Sequence, residues 1–278
     1  MIQDILPYVL KNTYLPKPPT PDSTVLIFQG KEVLLTGSED NIRFPRFSEL
    51  VDICPRIYSE YTYLFSIDDQ RFYLVGEIDY DKLVKFRMVG TQIFRTARPK
   101  HLAFAGITGF QLYNWYINHH YCGRCGNLLK QDEIERMMFC ETCHNMEYPK
   151  ISPAIIVGVT HGNRILLSKY ANREYKRYAL LAGFAEIGET IEETVHREVM
   201  EEVGLKVKNI RYYKSQPWSF TDTLLLGFFA DLDGEEAIKI DQAELALAEW
   251  FDRDKIPPVE SMISLTSEMI EAFRAKKV

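Results

Sequence analysis

Residues 183–205 read GFAEIGETIEETVHREVMEEVGL. The segment Arg197 to Gly204 within it, REVMEEVG, sets Glu198, Glu201 and Glu202 close together. On a helix, like charges three or four apart repel, at a cost of about 0.2–0.5 kcal/mol per pair. The stretch nonetheless reads as a helix. Thr190 and Glu193 form a capping box that starts it, and Gly204 suits the left-handed residue that ends it. Ile191, Val195, Val199 and Val203 recur every four residues and predict a buried stripe. At about 100° per residue, Glu198 and Glu202 fall on one side with Glu201 adjacent, making one acidic edge. Arg197 is placed to pair with Glu189 or Glu201 and so hold the preceding loop against the helix. Carboxylates arrayed this way bind hard divalent cations through oxygen, and Mg²⁺ sites combine a few carboxylates with substrate phosphate. A cation and a phosphate would relieve the repulsion.

The rest of the chain sets bounds on this reading. Its 278 residues suffice for one large or two to three small domains. Hydrophobic content of 46% and aromatic content of 13% can sustain real cores. A net charge of −6 argues against general polyanion binding and against sequence-specific DNA binding, while allowing a local basic pocket. The N-terminus, MIQDILPYVLKNTYLPKPP, has an early acid and no long apolar core, so it does not read as a signal peptide. LLLGFFADL at 224–232 is too short to span a bilayer. The expectation is a soluble cytoplasmic protein without membrane association.

Five prolines in residues 1–23 predict an extended lead-in. Beyond it, TVLIFQG, KEVLLTG, YTYLFSI and RFYLVGEI read as strands, with a hairpin at SIDDQR. Residues 101–121 carry apolar positions 104, 107, 110 and 115 at helical spacing, and their aromatics read as core. Prolines around Lys150–Pro153 mark a linker before a buried strand, Ala154–Val159. Strands at RILLSKY, LAGFAEI, NIRYYKS and TLLLGFFADL follow, with helices around 241–248 and 264–275. The fold class expected is α+β. Residues 1–120 would form a β-rich domain with an exit helix, 121–147 a zinc ribbon, and 148–278 a domain of alternating strands and helices, for which the family resemblance given below implies an α/β/α sandwich with a mixed sheet.

CGRC at 122–125 and CETC at 140–143 are separated by 14 residues. Two CxxC turns present two thiolate pairs, and the loop between them brings Cys122, Cys125, Cys140 and Cys143 together as a four-sulfur zinc site. A redox pair or an iron–sulfur cluster are the alternatives; two matched pairs favour zinc. Such a site leaves no open coordination position and reads as structural. His144 reads as a bystander. Cys54, the fifth cysteine, reads as a buried inert thiol, and the whole pattern fits a reducing compartment.

The fixed positions, Gly183, Glu189, Arg197, Glu198, Val199, Glu201, Glu202, Gly204 and Leu205, resemble the Nudix box throughout. A chance match in a chain of average composition is on the order of one in a million or rarer. SQPWSF at 215–220 resembles the SQPWPFPxS signature of the NADH pyrophosphatase family of Nudix hydrolases. So does the order of a variable N-terminal domain, a four-cysteine ribbon, then YP…P and the box.

The resemblance implies metal-dependent hydrolysis of NAD(H) to NMN(H) and AMP, and removal of an NAD cap from RNA, by a homodimer. It implies Mg²⁺ or Mn²⁺ held by Glu198 and Glu202 with the carbonyl of Ala182, and a further metal-binding glutamate at Glu244. Glu201, Glu202 and Glu244 are all candidates for the base. Phe184 would stack on a base, while Glu135 and Tyr148 would contact substrate. Gln216, Pro217, Trp218, Ser219, Phe220, Thr221, Asp222 and Thr223 would form a recognition loop, with Arg95 and Thr266 as further contacts. Ser219 and Thr221 stand where the family has proline, Thr223 where it has serine, and Thr266 where it has alanine. The rival readings are a Nudix pyrophosphatase acting on ADP-ribose or a dinucleoside polyphosphate, and a zinc-ribbon nucleic-acid-binding regulator that only senses a nucleotide.

Overall fold

The computed structural model describes every residue except 77, 80–82, 172–176 and 260. The chain divides into two units, one of residues 2–150 with 219–221, the other of Met1, 151–218 and 222–278.

In the first unit, β1 (Leu10–Lys11), β2 (Thr24–Leu26), β3 (Phe28–Gln29) and β4 (Glu32–Leu35) precede a single helical turn, α1 (Phe47–Leu50). Next come β5 (Thr62–Ile67), β6 (Gln70–Leu74), β7 (Arg87–Gly90) and the helix α2 (Lys100–Asn118). One sheet runs β1-β5-β6-β2 and a second β3-β4-β7. The predicted hairpin at SIDDQR is present: Ile67 faces Gln70, and Asp68 adopts the left-handed conformation at φ 50°. The predicted RFYLVGEI strand ends at Leu74; its Glu77 lies outside the described residues.

The proline-rich start is extended, but it is more than a lead-in. Leu10 pairs with Ile67, and Ile2 and Ile5 are buried in the core. That core gathers Phe28, Phe44, Phe65, Phe72 and Phe94 against Ala103, Ile107 and Phe110 of α2, as the helical spacing predicts. The half-buried Cys54 packs against a neighbouring cluster around Phe47 and Tyr73. The cysteine segment adds β8 (Lys130–Gln131), β9 (Met138–Phe139) and β10 (Met146–Glu147) as a small antiparallel sheet.

The second unit holds β11 (Ser152–His161), β12 (Arg164–Tyr170), β13 (Leu181–Phe184), the helix α3 (Ile191–Val203), β14 (Val207–Trp218), β15 (Thr223–Leu232), β16 (Leu245–Asp252) and the helix α4 (Leu265–Arg274). The sheet order is β14-β15-β11-β12-β16, with β13 paired to β11; β11 and β15 run parallel and the other pairs antiparallel. Alternation along the strands divides two helix contacts. Ile155, Val157, Val159, Leu166 and Phe228 pack with Val195, Val199 and Val203 of α3. Ile156, Ile165, Leu167 and Phe229 pack with Leu265, Met269 and Phe273 of α4. The result is an α/β/α sandwich.

The helix predicted around 241–248 is a turn followed by β16, whose residues pair with β12 from Leu245↔Tyr170 to Asp252↔Arg164. AELALAEW favours helix locally, but the free edge of β12 demands a ladder partner, and pairing overrides propensity. Among the described residues, no helix is long and apolar enough to cross a membrane.

Candidate active site and metal centre

The helix α3 starts and stops where its sequence dictates. Thr190 Oγ1 accepts from the Glu193 amide at 3.2 Å, and the Glu193 carboxylate accepts from the Thr190 amide at 2.7 Å. Gly204 closes the helix at φ 68°. Val195, Val199 and Val203 are fully buried, each contributing about 1.5–3 kcal/mol of burial free energy. Ile191, at the first turn, is half-buried against the same core.

This seating turns the acidic edge toward β13. Glu198 is 8% exposed and Glu202 1%, whereas Glu201 faces solvent. Gly183 in β13 makes the approach possible, because a Cβ there would lie 1.9 Å from the Glu198 carboxyl carbon. Ala182, beside it, sits opposite Ile156 in the β11 pairing.

Arg197 spends all five of its N–H groups on this edge. Its Nε donates to Glu189 Oε1 at 2.6 Å and Nη1 to Glu198 Oε1 and Glu201 Oε2 at 2.7 and 2.9 Å. Nη2 donates to Glu189 Oε2 and to the Phe184 carbonyl, both at 2.9 Å. The predicted pairing with Glu189 or Glu201 is thus realised with both, and Glu198 joins them. The guanidinium holds Glu189 down at about 2, helped by the Glu186 amide and the Thr194 hydroxyl. Thr194 escaped the sequence reading. Its signal was a polar residue inside the apolar stripe, where its hydroxyl reaches Glu189 Oε2 at 3.0 Å.

Glu198 behaves oppositely. Burial pushes its carboxyl above the usual range, and the charges of Glu201 and Glu244 push it further, against the pull of Arg197. A carboxylate under that pressure, flanked by others, suits a bound cation. Among the described residues, the four cysteines are the one group of three or more whose ligand atoms all lie within 4.8 Å of one another. An ion held on the glutamate edge would need further ligands from water or phosphate, as Mg²⁺ commonly takes. Glu244 occupies the turn before β16, its carbonyl accepting from the Ala171 amide at 2.8 Å.

Phe184 ends β13 with its side chain 54% exposed, open to stacking. The predicted loop Gln216–Thr223 is in fact two strand ends and a turn, since Trp218 pairs with Thr223 across β14 and β15. Gln216 is completely buried, its amide bridging the Ile263 carbonyl at 3.0 Å and the Leu265 amide at 2.7 Å. It ties β14 to the start of α4, where Thr266 sits half-exposed in the first turn. Pro217 is exposed and Trp218 half-buried, while Ser219 and Thr223 are buried. The Asp222 carbonyl accepts from Ser152 at 2.8 Å, and Thr221 faces solvent.

In the first unit, the Phe220 ring lies 4.4 Å beneath the Arg95 guanidinium, whose Nε is bonded to Gln92. Tyr148 donates to Glu135 Oε2 at 2.6 Å, with both side chains exposed.

The cysteine turns mirror each other. The amides of Gly126 and His144 bond the carbonyls of Cys122 and Cys140 at 2.9 and 2.8 Å, and both residues are left-handed, at φ 75° and 57°. His144 lies outside the sulfur set, its ring tilted on Phe139. The closest sulfur pairs stand 3.5 Å (Cys122–Cys143) and 3.4 Å (Cys125–Cys140) apart. A tetrahedral zinc with bonds of about 2.3 Å would set its sulfurs roughly 3.8 Å apart, so the cluster fits a structural zinc. Hydrogen bonds from Asn127 hold the Cys125 thiol at about 6, on the way to the thiolate that zinc requires.

Residues 150–273 match the family model of the NUDIX domain. The NAD-capped RNA hydrolase NudC of Photorhabdus laumondii subsp. laumondii is 42% identical over 202 residues, 71% of this chain and 78% of that protein. The protein of the same name from Escherichia coli O1:K1 / APEC is 41% identical over 163 residues, 59% of this chain and 63% of that protein. Among solved structures, a NUDIX hydrolase from Nitrosomonas europaea is 23% identical with a TM-score of 0.49, covering 56% of this chain and 91% of that one.

Proposed function

The chain belongs to the NADH pyrophosphatase family of Nudix hydrolases, and from that membership we propose that it cleaves the pyrophosphate of NAD(H), giving NMN(H) and AMP. The same cut removes an NAD cap from an RNA 5′ end and leaves a monophosphate, the activity that the names of its relatives state. The observation that carries the reading is the buried Glu198–Glu202 edge, with every N–H of Arg197 committed around it.

Glu198 and Glu202, with the Ala182 carbonyl and with Glu201 and Glu244 at the margin, would hold Mg²⁺ or Mn²⁺. When bound, such ions neutralise phosphate charge and lower the pKa of an attacking water. The protein's own groups do the rest. Arg197 keeps Glu189 ionised and the loop before α3 closed against the helix. A carboxylate of Glu201, Glu202 or Glu244 takes the proton as water attacks phosphorus, and the anhydride P–O bond breaks with the leaving phosphate keeping its electron pair. The exposed face of Phe184 stacks on a ring of the substrate. The hairpin 216–223, Thr266, Arg95 and the Glu135–Tyr148 pair supply recognition.

In this reading residues 1–120, 121–147 and 148–278 act as a β-rich domain, a ribbon and the hydrolase domain. The working form is a homodimer, and four thiols suited to zinc support a reducing, cytoplasmic setting. Ranking kcat/KM for NADH, NAD⁺, NAD-capped RNA, ADP-ribose and diadenosine polyphosphates tests the assignment. NADH and NAD-capped RNA should lead; ADP-ribose or a dinucleoside polyphosphate ahead by tenfold would overturn it.

A further inference from the structure

Arg136, in the turn that joins β8 to β9, is a cation with no carboxylate partner among the described residues. Its Nη1 donates to Asn12 Oδ1 at 2.9 Å, and its Nη2 to the carbonyls of Asn12, at 3.3 Å, and Leu64. The guanidinium carbon lies 5.5 Å from the centroid of the Tyr14 ring, and Nε is sealed from solvent with no hydrogen-bond partner. The titratable groups that face it are the neutral phenols of Tyr14, Tyr63 and Tyr116.

Tyr14 holds the other end of the same turn. Its hydroxyl donates to the Asp132 carbonyl at 3.2 Å and accepts from Gln131 at 3.0 Å, while Gln131 also reaches Tyr116 at 3.1 Å. Inside the turn, Asp132 Oδ1 accepts from the amides of Ile134 and Glu135 at 2.8 and 2.7 Å. The backbone of Glu135 is thus fixed on both flanks by the N-terminal segment, although its side chain faces water.

Burying a cation against carbonyls and a ring face is costly, and an apolar residue would staple the ribbon more cheaply. What the guanidinium adds is geometry, because its planar fork fixes three acceptors at once. The group whose geometry depends on it is Glu135, and through it the 2.6 Å bond from Tyr148. An exposed pair of this kind would otherwise sample many rotamers.

We propose that Arg136, seated on Asn12 and Tyr14, is a positioning residue that orients the Glu135–Tyr148 pair toward a neutral hydrogen-bond donor of the substrate, a ribose hydroxyl or an exocyclic amine. A carboxylate repels phosphate, so the pair serves the ends of the substrate and not its pyrophosphate. This rests on the reading that Glu135 and Tyr148 touch substrate.

The test uses the full-length, zinc-loaded protein with Arg136→Met, Arg136→Lys and the milder Tyr14→Phe, each also in a Tyr148→Phe background. Steady-state kinetics on NADH should show KM raised about five- to tenfold by Arg136→Met with kcat held within about twofold. Lysine should fail to rescue, and Tyr14→Phe should raise KM less. In the Tyr148→Phe background Arg136→Met should add nothing, since the pair it serves is already gone. An unchanged KM, an effect that adds fully in that background, or activity lost only in step with zinc content would overturn the proposal.

A second readout is independent of turnover. By NMR titration of labelled tyrosine, the Tyr148 phenol should ionise above its ordinary value in the wild type, because it donates a hydrogen bond to the Glu135 carboxylate. It should return toward that value in Arg136→Met. A wild type inert toward NADH would sink the functional reading alone. An upshift that survives Arg136→Met would sink this inference alone.

Discussion

In the proposed mechanism, Gly183 leaves the space that the Glu198 carboxyl occupies beside β13. A Cβ at 183 would collide with the end of the Glu198 side chain, which can swing away without disturbing the backbone. Gly183→Ala should therefore melt close to wild type yet lose about 10²-fold in kcat, the scale expected of a displacement near 1 Å. Parallel thermal melts and initial rates check this. Asp231 is the contrasting case, a carboxylate that serves the fold. Hydrogen bonds from Arg211 first, then Asn209 and Thr160, hold it at about 2, below its ordinary value. A depressed carboxylate stabilises the native state fully above its unfolded pKa, and that contribution fades as pH falls toward about 2. With the side chain 37% exposed, solvent screening trims the gain. Asp231→Asn should be the less stable protein at pH 7, and the gap should close between pH 4 and pH 2 in urea melts.

At the scale of elements, legibility followed how local the determining physics is. The helix α3 could be read to its caps because Thr190, Glu193 and Gly204 act within a few residues of themselves. The cysteine turns were legible for the same reason. β16 was not, because AELALAEW carries a helical propensity that only the distant edge of β12 overrides. The sequence of 216–223 predicts a loop, yet it forms two strand ends and a turn. The buried amide of Gln216 finds its partners at Ile263 and Leu265, beyond the reach of any local pattern. Gln216→Ala would leave the Leu265 amide without that acceptor at the start of α4. A loss of about 1–3 kcal/mol is expected, the cost of an unmet buried polar group, and would appear as a lower urea midpoint with an unchanged slope.

Across the whole molecule, the candidate site is legible wherever chemistry demands fixed spacing: the glutamates, Gly183 and the four thiols. Proximity of Glu244 to Glu198 is a tertiary fact, created by a turn that the pairing of β12 with β16 sets in place. The same holds for Tyr14 and Arg136, 122 positions apart in sequence and joined in one pocket. Hydrolysis of a dinucleotide pyrophosphate at the Glu198–Glu202 edge is the proposal on which the other roles depend. It is tested most directly by incubating wild type and Glu202→Gln with NADH and Mg²⁺ or Mn²⁺ and identifying products by mass. The wild type should yield AMP and reduced NMN in equal amounts, with turnover in Glu202→Gln lower by about 10²-fold or more. No AMP from the wild type, or equal turnover in the two proteins, would contradict it.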